Sequence, residues 1–462
     1  MAASNGNGEV KLRRVLTLPD LIVYGIILIQ PAAALPLFGI ANNTSHGHAV
    51  TTIMIAMFGM AFTAVSYGRL ANRYPTAGSA YTYVGRGLHL MAGFVAGWCM
   101  IMDYILVPML CVIFTSITAN HILPFIPQEV WFLVFAAMFT GINLNGIKVT
   151  ARANWVLMVI GSAVVFWFMA MAIRYILMQN GFGGLFTTTP FYNPEHFDWT
   201  FIGSGTALAA LTYIGFDGLT TLSEEVENPR RNVMLATILT CVITGIWSGS
   251  QIYLAQVAWP DWMSFTAGVT NQAVADNNLE RAIYFVADRV GGYTLDATLA
   301  FVLWLGSVGS GVTGQVGAAR LLYGMGRDEV LPKKFFAHLD AKHAGPSWNI
   351  ILIGALALIG AYTLNYEDCA LLINFGAFLA FMGVNLASIN EYYFRATPEQ
   401  RNFWKDFLPP AIGFIVSLWI WHSLPLKTFI VGGSWLAVGL IILAIQTKGF
   451  KKQMKMFDFS EA

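Results

Sequence analysis

The sequence has little charge. Only 11% of its 462 residues are charged and 56% are hydrophobic, whereas an ordinary soluble domain carries roughly a quarter charged residues. The few charges lie in short segments between apolar runs of about twenty residues, the length that crosses the hydrocarbon core of a bilayer. Runs of alternating apolar and polar residues, the mark of a membrane β-barrel, are lacking. The composition therefore predicts an all-α polytopic membrane protein without a soluble domain.

Cysteine is also rare, and the motifs of several enzyme classes are missing. The four cysteines, Cys99, Cys111, Cys241 and Cys369, form no CxxC pair, so neither a disulfide framework nor a metal site is expected. None of the eight histidines belongs to an HExxH motif, and the P-loop of an ATP-driven pump is absent. We therefore expect no catalytic residues, no cofactor and no nucleic-acid partner.

Twelve apolar runs are long enough to be membrane helices. They span approximately 19–41, 49–71, 89–119, 129–146, 151–178, 201–226, 232–256, 295–323, 348–364, 367–393, 407–423 and 427–446. The runs divide the chain into a tail (1–18), a ten-helix core (19–393), a final helix pair (407–446) and a second tail (447–462).

The basic residues are distributed unequally between the two sides of these helices. Of the 26 Lys and Arg residues, only Arg174, Arg281, Arg289 and Lys427 fall on the side opposite the N-terminus. Because basic residues are retained on the inner side, both termini are predicted to be cytoplasmic, and the protein is predicted to lie in the cytoplasmic membrane.

Two predicted helices, the first and the sixth, contain helix-breaking residues at corresponding places. The first contains IQPAAALPLFGI, and the sixth contains four glycines, Gly203, Gly205, Gly215 and Gly218. Backbone groups freed by such breaks must face protein or a wet cavity. The pair indicates two five-helix repeats, about 19–178 and 201–393, with the second inverted, and a transporter with its site at the midplane. A simple packing kink is the alternative, because Pro and Gly are frequent in membrane helices.

Two acidic residues lie deep in these apolar runs. Asp217 is in the sixth, TYIGFDGL, and Asp103 is in the third, GWCMIMDYILVP. A charge at mid-membrane costs roughly 2.5–3.5 kcal/mol on insertion scales, and no Lys or Arg is predicted at that depth. Protonation, backbone capping or a substrate amine would offset the cost. Alternatively, each Asp has no function in transport and is only a hydrogen-bonded group in helix packing. The neighbouring aromatic residues Tyr104, Tyr213 and Phe216 suit an ammonium group or ordinary packing.

Three further groups complete the predicted site. The opened backbone at Gln30, Pro31, Ala32 and Ala33, and again from Tyr213 through Ile214 and Gly215 to Phe216, is predicted to contact substrate. Ser307, Ser310 and Thr313 share one helical face and suggest either close helix packing or a sodium site. Glu224 and Glu225, in SEEVENPRR, suggest either an ion-pair cluster that closes the inner mouth or a capped helix end.

Five stretches of the chain carry a resemblance to a known family. They are AVSYGRLANRYPTAGSAYTY (64–83), GFVAGWCMIMDYILVPML (93–110), YIGFDGLTTLSEEVENPRR (213–231), ARLLYGMGRDEVLP (319–332) and LLINFGAFLAFMGVNLASIN (371–390). Through them the chain resembles the amino acid–polyamine–organocation superfamily, most closely its bacterial putrescine importers, from Arg13 to about Gly449.

The resemblance implies a fold of two inverted five-helix repeats plus two helices, alternating access, and amine or amino-acid substrates bound between the broken helices. It implies that Asp217 takes part in gating and protonation, and that Asp103 and Tyr104 match an Asp-Tyr pair of the putrescine importers. Gly78, Ser79 and Tyr81 match a loop near the cytoplasmic gate.

The chain departs from the family pattern at three places. The Gly-Ser-Gly stretch that binds a substrate carboxylate in many members reads AAALPLFG here. Pro36 replaces an Asp of the putrescine importers, and Gly161 stands where some proton-coupled relatives have Lys. The first change weakens the case for an amino acid, and the second weakens the case for putrescine.

These observations lead to one functional prediction. We expect a secondary transporter that imports a polyamine, another amine or an amino acid, coupled to protons through Asp217, with the lipid bilayer and the substrate as its partners. Still open are a sodium-coupled permease, an exchanger, a channel and a sensor that binds without transport.

Overall fold

The architecture is that of a helical membrane protein. A computed structural model describes residues 3–4, 10–11, 16–29, 32–74, 79–145, 151–223, 226–327, 331–340 and 345–449. Sixteen α-helices occur in these ranges, together with one pair of two-residue antiparallel strands, β1 (Ala3–Ser4) and β2 (Val10–Lys11).

The helices follow the apolar runs closely. In chain order they are α1 (Leu18–Ile29), α2 (Phe38–Thr44), α3 (Ala49–Arg73), α4 (Ser79–Gly87), α5 (Leu90–Ile122), α6 (Gln128–Leu144), α7 (Ala151–Asn180), α8 (Trp199–Ala209), α9 (Pro229–Ala258), α10 (Gln272–Glu280), α11 (Ala282–Arg327), α12 (Lys333–Phe336), α13 (Ser347–Thr363), α14 (Tyr366–Ile389), α15 (Leu408–His422) and α16 (Leu426–Gln446).

Most of the predicted runs are continuous helices. In the described part of the chain, eight helices are long and apolar enough to cross a membrane, and α6 and α13 are apolar but shorter. The first and sixth runs are not continuous. The first is divided into α1, a 3₁₀ turn at Leu35–Leu37 and α2, and the sixth into α8 and two 3₁₀ segments, Ala210–Tyr213 and Phe216–Leu222. Both predicted interruptions are therefore present.

The two broken runs lie beside each other at one end. The Glu227 amide, just after the sixth run, donates a hydrogen bond to the Leu16 carbonyl, just before α1, over 2.9 Å. A Cβ atom at Gly25 would lie only 2.6 Å from the Thr240 hydroxyl of α9. A small residue therefore lets α1 pack closely, as is common between membrane helices.

Polar side chains connect the packed helices where lipid offers no partner. Asn385 of α14 accepts a 2.7 Å bond from Ser66 and donates a 3.0 Å bond to Thr63, both on α3. At the Arg73 end of α3, Arg69 pairs with Asp406 and lies 4.1 Å above the Tyr392 ring. These contacts connect α3 to α14 and to the segment that contains Asp406.

Candidate functional site

A cavity of about 390 Å³ lies beside the break in the sixth run. This volume is within the range of small-molecule sites. Its walls come from the two breaks and from α5, α7 and α11. The lining residues are Ala32, Met100, Asp103, Tyr104, Val107, Leu157, Met158, Ile160, Gly161, Ile214, Gly215, Asp217, Gly218, Val302, Leu303, Leu305, Gly306, Gly309, Ser310, Thr313 and Gly314.

The break itself is built around Gly215. The chain leaves the 3₁₀ segment at Ile214, which is extended (φ −58°, ψ 130°), and Gly215 follows with φ of 111°. A side chain is strained in this left-handed region, whereas glycine adopts it freely. Two hydrogen bonds hold the segment that precedes the break. The Tyr213 hydroxyl donates to the Ile53 carbonyl (2.8 Å), and the Asn374 amide donates to the Ala207 carbonyl (2.6 Å).

Asp217 lies just after the break and is well supplied with partners. Its side chain is 7% exposed, and the Ser79 hydroxyl at the start of α4 donates to it over 3.4 Å. The backbone amides of Gly215, Asp217 and Gly218 also face the carboxylate. The carboxylate therefore lies at the amides that follow the break, although the Gly218 amide also donates to the Gly215 carbonyl over 3.1 Å.

Asp103, across the cavity on α5, is equally buried at 7% exposure. Its Oδ1 atom has no hydrogen-bond partner among the described residues. Asp103 and Asp217 line the same cavity. The adjacent Tyr104 is 42% exposed and also lines the cavity. The cavity thus contains a carboxylate oxygen that is available to a ligand.

Phe216 and Tyr213 do not line the cavity. Phe216 is fully buried among three other rings, Tyr67, Tyr83 and Phe381. We call these four rings the aromatic cluster, and the centroid distance from Phe216 to Tyr67 is 5.4 Å. Tyr213 is also fully buried, and its hydroxyl bonds to α3 as described above. Substrate contact by either residue, expected from the sequence, has no support in this conformation, because both rings are fully buried in the protein.

The three hydroxyl residues of α11 do not all line the cavity. Ser310 and Thr313 line the cavity. Ser307 is instead bonded to α5, since its hydroxyl accepts from Thr115 (3.0 Å) and donates to the Cys111 carbonyl (3.3 Å). The predicted sodium site, which would be shared with the opened first helix, therefore stays a prediction, and only two of its three hydroxyl residues line the cavity. In the described part of the chain no group of three His, Cys, Asp or Glu is arranged to hold a metal.

The remaining predicted residues fall in different places. Ala32 lines the cavity, and Ala33 is not among the lining residues. Gln30, Pro31, Glu224 and Glu225 lie outside the described residues.

Most of the wall was not anticipated from the sequence. It is formed by apolar side chains of α5, α7 and α11, together with glycines, and its members from α7 are Leu157, Met158, Ile160 and Gly161. The only sequence signal was the glycine-rich stretch GSVGSGVTGQ, from which Gly306, Gly309 and Gly314 line the cavity.

A bundle of apolar helices around a partly acidic cavity defines an integral membrane protein. The chain belongs to the amino acid permease family, whose model matches residues 21–453.

Curated relatives cover nearly the whole chain. It is 32% identical to the low-affinity putrescine importer PlaP of Escherichia coli K12, over 97% of each protein. It is 26% identical to the branched-chain amino acid permease BcaP of Lactococcus lactis, over 93% of each. It is also 26% identical to the methylthioribose transporter of Bacillus subtilis, over 95% of this chain and 94% of that protein. The protein is therefore an integral membrane transporter and not an enzyme.

Proposed function

We propose that this protein is a proton-coupled importer of a small amine or amino acid that works by alternating access. Support comes from one observation, the meeting of two buried carboxylates, Asp103 and Asp217, in a single cavity at a broken helix. Intramembrane acids that face a cavity mark ion and substrate pathways.

In this proposal the two acids have different roles. Asp103 binds the substrate amine, because its Oδ1 atom is buried without a partner and a charge-assisted bond to an ammonium group would satisfy it. Asp217 carries the coupling proton, because it contacts both the break and Ser79 of α4, so that a change of its charge reaches two segments at once.

The proposed architecture has twelve spans. Ten come from α3, α5, α6, α7, α9, α11, α13, α14, α15 and α16, and two come from the broken runs. The first ten spans would form two inverted five-helix repeats, with both termini cytoplasmic as the distribution of Lys and Arg suggests.

Proton coupling is favoured over sodium coupling by the contacts of α11. Of the three hydroxyls expected at a sodium site, Ser307 is committed to Thr115 and Cys111. An exchange mechanism remains compatible with the same cavity, and it would differ in requiring substrate on both sides of the membrane.

Uptake by purified protein in liposomes tests the proposal. An imposed inward proton gradient should drive accumulation of a labelled amine or amino acid without sodium, and collapsing the gradient with a protonophore should abolish it. Accumulation that needs sodium, or that needs substrate trapped inside, would reject proton symport. Unitary currents would indicate a channel, and binding without uptake would indicate a sensor.

A further inference from the structure

The charges of the cavity select against a carboxylate. Its titratable lining residues are Asp103, Tyr104 and Asp217, and no Lys, Arg or His lines it among the described residues. A ligand carboxylate would therefore lie near two acids without a cationic partner.

The backbone amides at the breaks offer such a carboxylate little compensation. Several already donate within the turns, each over 3.1 Å: Leu35 to the Ala32 carbonyl, Ile214 to the Leu211 carbonyl, and Gly218 to the Gly215 carbonyl. The Gly-Ser-Gly stretch that the family resemblance associates with carboxylate binding reads AAALPLFG in this chain. In the described turns of this chain, these three amides are used internally.

The cavity also provides one free anionic position rather than two. Asp217 is occupied by the Ser79 hydroxyl and by backbone amides, whereas Oδ1 of Asp103 has no partner in the described structure. A ligand with a single ammonium group matches this arrangement. The second ammonium group of a diamine would have to lose its hydration without an equivalent partner, which is costly.

Apart from Tyr104, Ser310 and Thr313, the rest of the wall is apolar and would cover the body of the ligand. Its apolar side chains are Met100, Val107, Leu157, Met158, Ile160, Val302, Leu303 and Leu305. Burial of apolar surface stabilises a complex by roughly 25 cal/mol per Å², so a hydrocarbon body adds affinity here and a polar body does not.

Two glycines determine how large that body can be. A Cβ atom at Gly161 would meet the nearest atom, Val302 Cγ1, at 3.6 Å, and one at Gly309 would meet Leu157 Cδ1 at 3.9 Å. Both distances are ordinary contacts, so a Cβ atom fits at either position. Because both glycines line the cavity, a larger side chain at either would occupy it.

We propose that the cavity selects a primary amine with one positive charge, an apolar body and no carboxylate, and that Gly161 and Gly309 set the size of this body. The inference rests on the transport function proposed above and narrows its substrate class.

A ligand series that changes one group at a time tests the chemical part. Binding to the purified full-length protein in detergent is measured from the dependence of thermal stability on ligand concentration. The ligands are 3-methylbutylamine, leucine, which is the same amine with an added carboxylate, and putrescine, which carries a second ammonium group. We expect 3-methylbutylamine to bind at least tenfold more tightly than the other two. Equal or tighter binding of leucine or putrescine, or no binding of 3-methylbutylamine, would overturn the proposal.

The size role is tested with Gly161→Leu and a matched control, Gly433→Leu. Gly433 is on α16, does not line the cavity, and has open space around its Cβ direction. Gly161→Leu should weaken 3-methylbutylamine at least tenfold and ethylamine less than threefold, while the control should bind both as the parent does. An equal loss for both amines, or no loss, would reject the size role.

The binding assay separates this inference from the transport proposal, because it needs no gradient. If 3-methylbutylamine binds with the expected preference but is not accumulated in liposomes, the transport proposal fails and the selectivity stands. If leucine or putrescine is bound more tightly and accumulated, transport stands and the selectivity fails.

Discussion

Asp103 and Asp217 line one cavity with the same 7% exposure, yet their surroundings differ. Asp217 has a hydroxyl partner and faces backbone amides of a broken helix. Asp103 lies within the continuous helix α5, whose amides are used internally, and its Oδ1 atom has no partner in the described structure. Burial alone therefore does not assign a role to an intramembrane acid. The hydrogen-bond partners indicate the role. A carboxylate whose partners lie within the protein suits a structural or coupling role, whereas a carboxylate oxygen without a partner suits ligand binding.

The largest effect should come from Asp217→Asn, which removes the titratable group and keeps the shape. We expect proton-driven accumulation to be lost while amine binding in detergent changes less than threefold. The matched control is Asp296→Asn, since Asp296 is another buried acid, bonded to His121 over 3.0 Å and outside the cavity lining. Accumulation that keeps its response to the gradient in Asp217→Asn would make the two cavity acids equivalent and remove the coupling role.

For Asp103→Asn we expect a smaller effect, and we expect it on amine binding rather than on proton coupling. A hydrogen bond to a charged group contributes about 1.5–3 kcal/mol, so amine affinity should fall about 10- to 100-fold. The melting temperature without ligand should not fall, because the variant removes a buried charge without a described partner. Unchanged affinity, measured with the same binding assay, would return Asp103 to helix packing.

Gly215→Ala examines the break that distinguishes the two acids. A Cβ atom at φ of 111° costs about 1–2 kcal/mol in the left-handed region, so thermal stability in detergent should fall. Gly433→Ala, where φ is not positive, should be close to neutral. Equal stability of the two variants would indicate that the left-handed turn is not required.

Another buried acid, Glu280 at the end of α10, extends the comparison beyond the membrane-spanning segments. Burial raises the pKa of Glu280 from 4.5 to about 7; the Tyr366 amide and Arg281 oppose the rise, while Asp276 and Glu367 add to it. The folded state then holds this proton more tightly than the unfolded state, so the contribution of Glu280 to stability is full below about pH 4.5 and is lost as the pH rises toward 7.

Glu280→Gln should therefore flatten the pH dependence of thermal stability, with a gain over the parent of about 3 kcal/mol at pH 8 and less than about 1 kcal/mol at pH 5. The amide oxygen can still accept the 3.1 Å bond from the Tyr366 amide, so the change isolates the charge. Parallel melting curves for the two proteins from pH 5 to 8 would contradict the raised pKa.

The helical architecture, the two breaks and both cavity acids could be predicted from the sequence, because a carboxylate or a glycine cluster is conspicuous in an apolar run. The direction of the side chains around Gly215 could not. Phe216 is fully buried in the aromatic cluster, and nothing in TYIGFDGL indicates which of its aromatic residues faces the cavity.

The apolar wall of the cavity could not be predicted from the sequence for a different reason. In a membrane protein Leu157 facing a cavity and Leu157 facing lipid would look the same in the sequence, since both surroundings favour hydrocarbon. The contact between Ser79 and Asp217 could not be predicted from the sequence either, because it joins residues 138 positions apart.

The glycines of the cavity wall have a consequence for how this permease can change over generations. Space that is bordered by missing side chains, as at Gly161 and Gly309, can be reduced by a single substitution without moving the backbone. Neither position supports the turn at Gly215 or the bonds that hold α3 and α14. The range of accepted molecules is therefore a trait that can vary separately from foldability, and relatives with very different cargoes can keep the same scaffold.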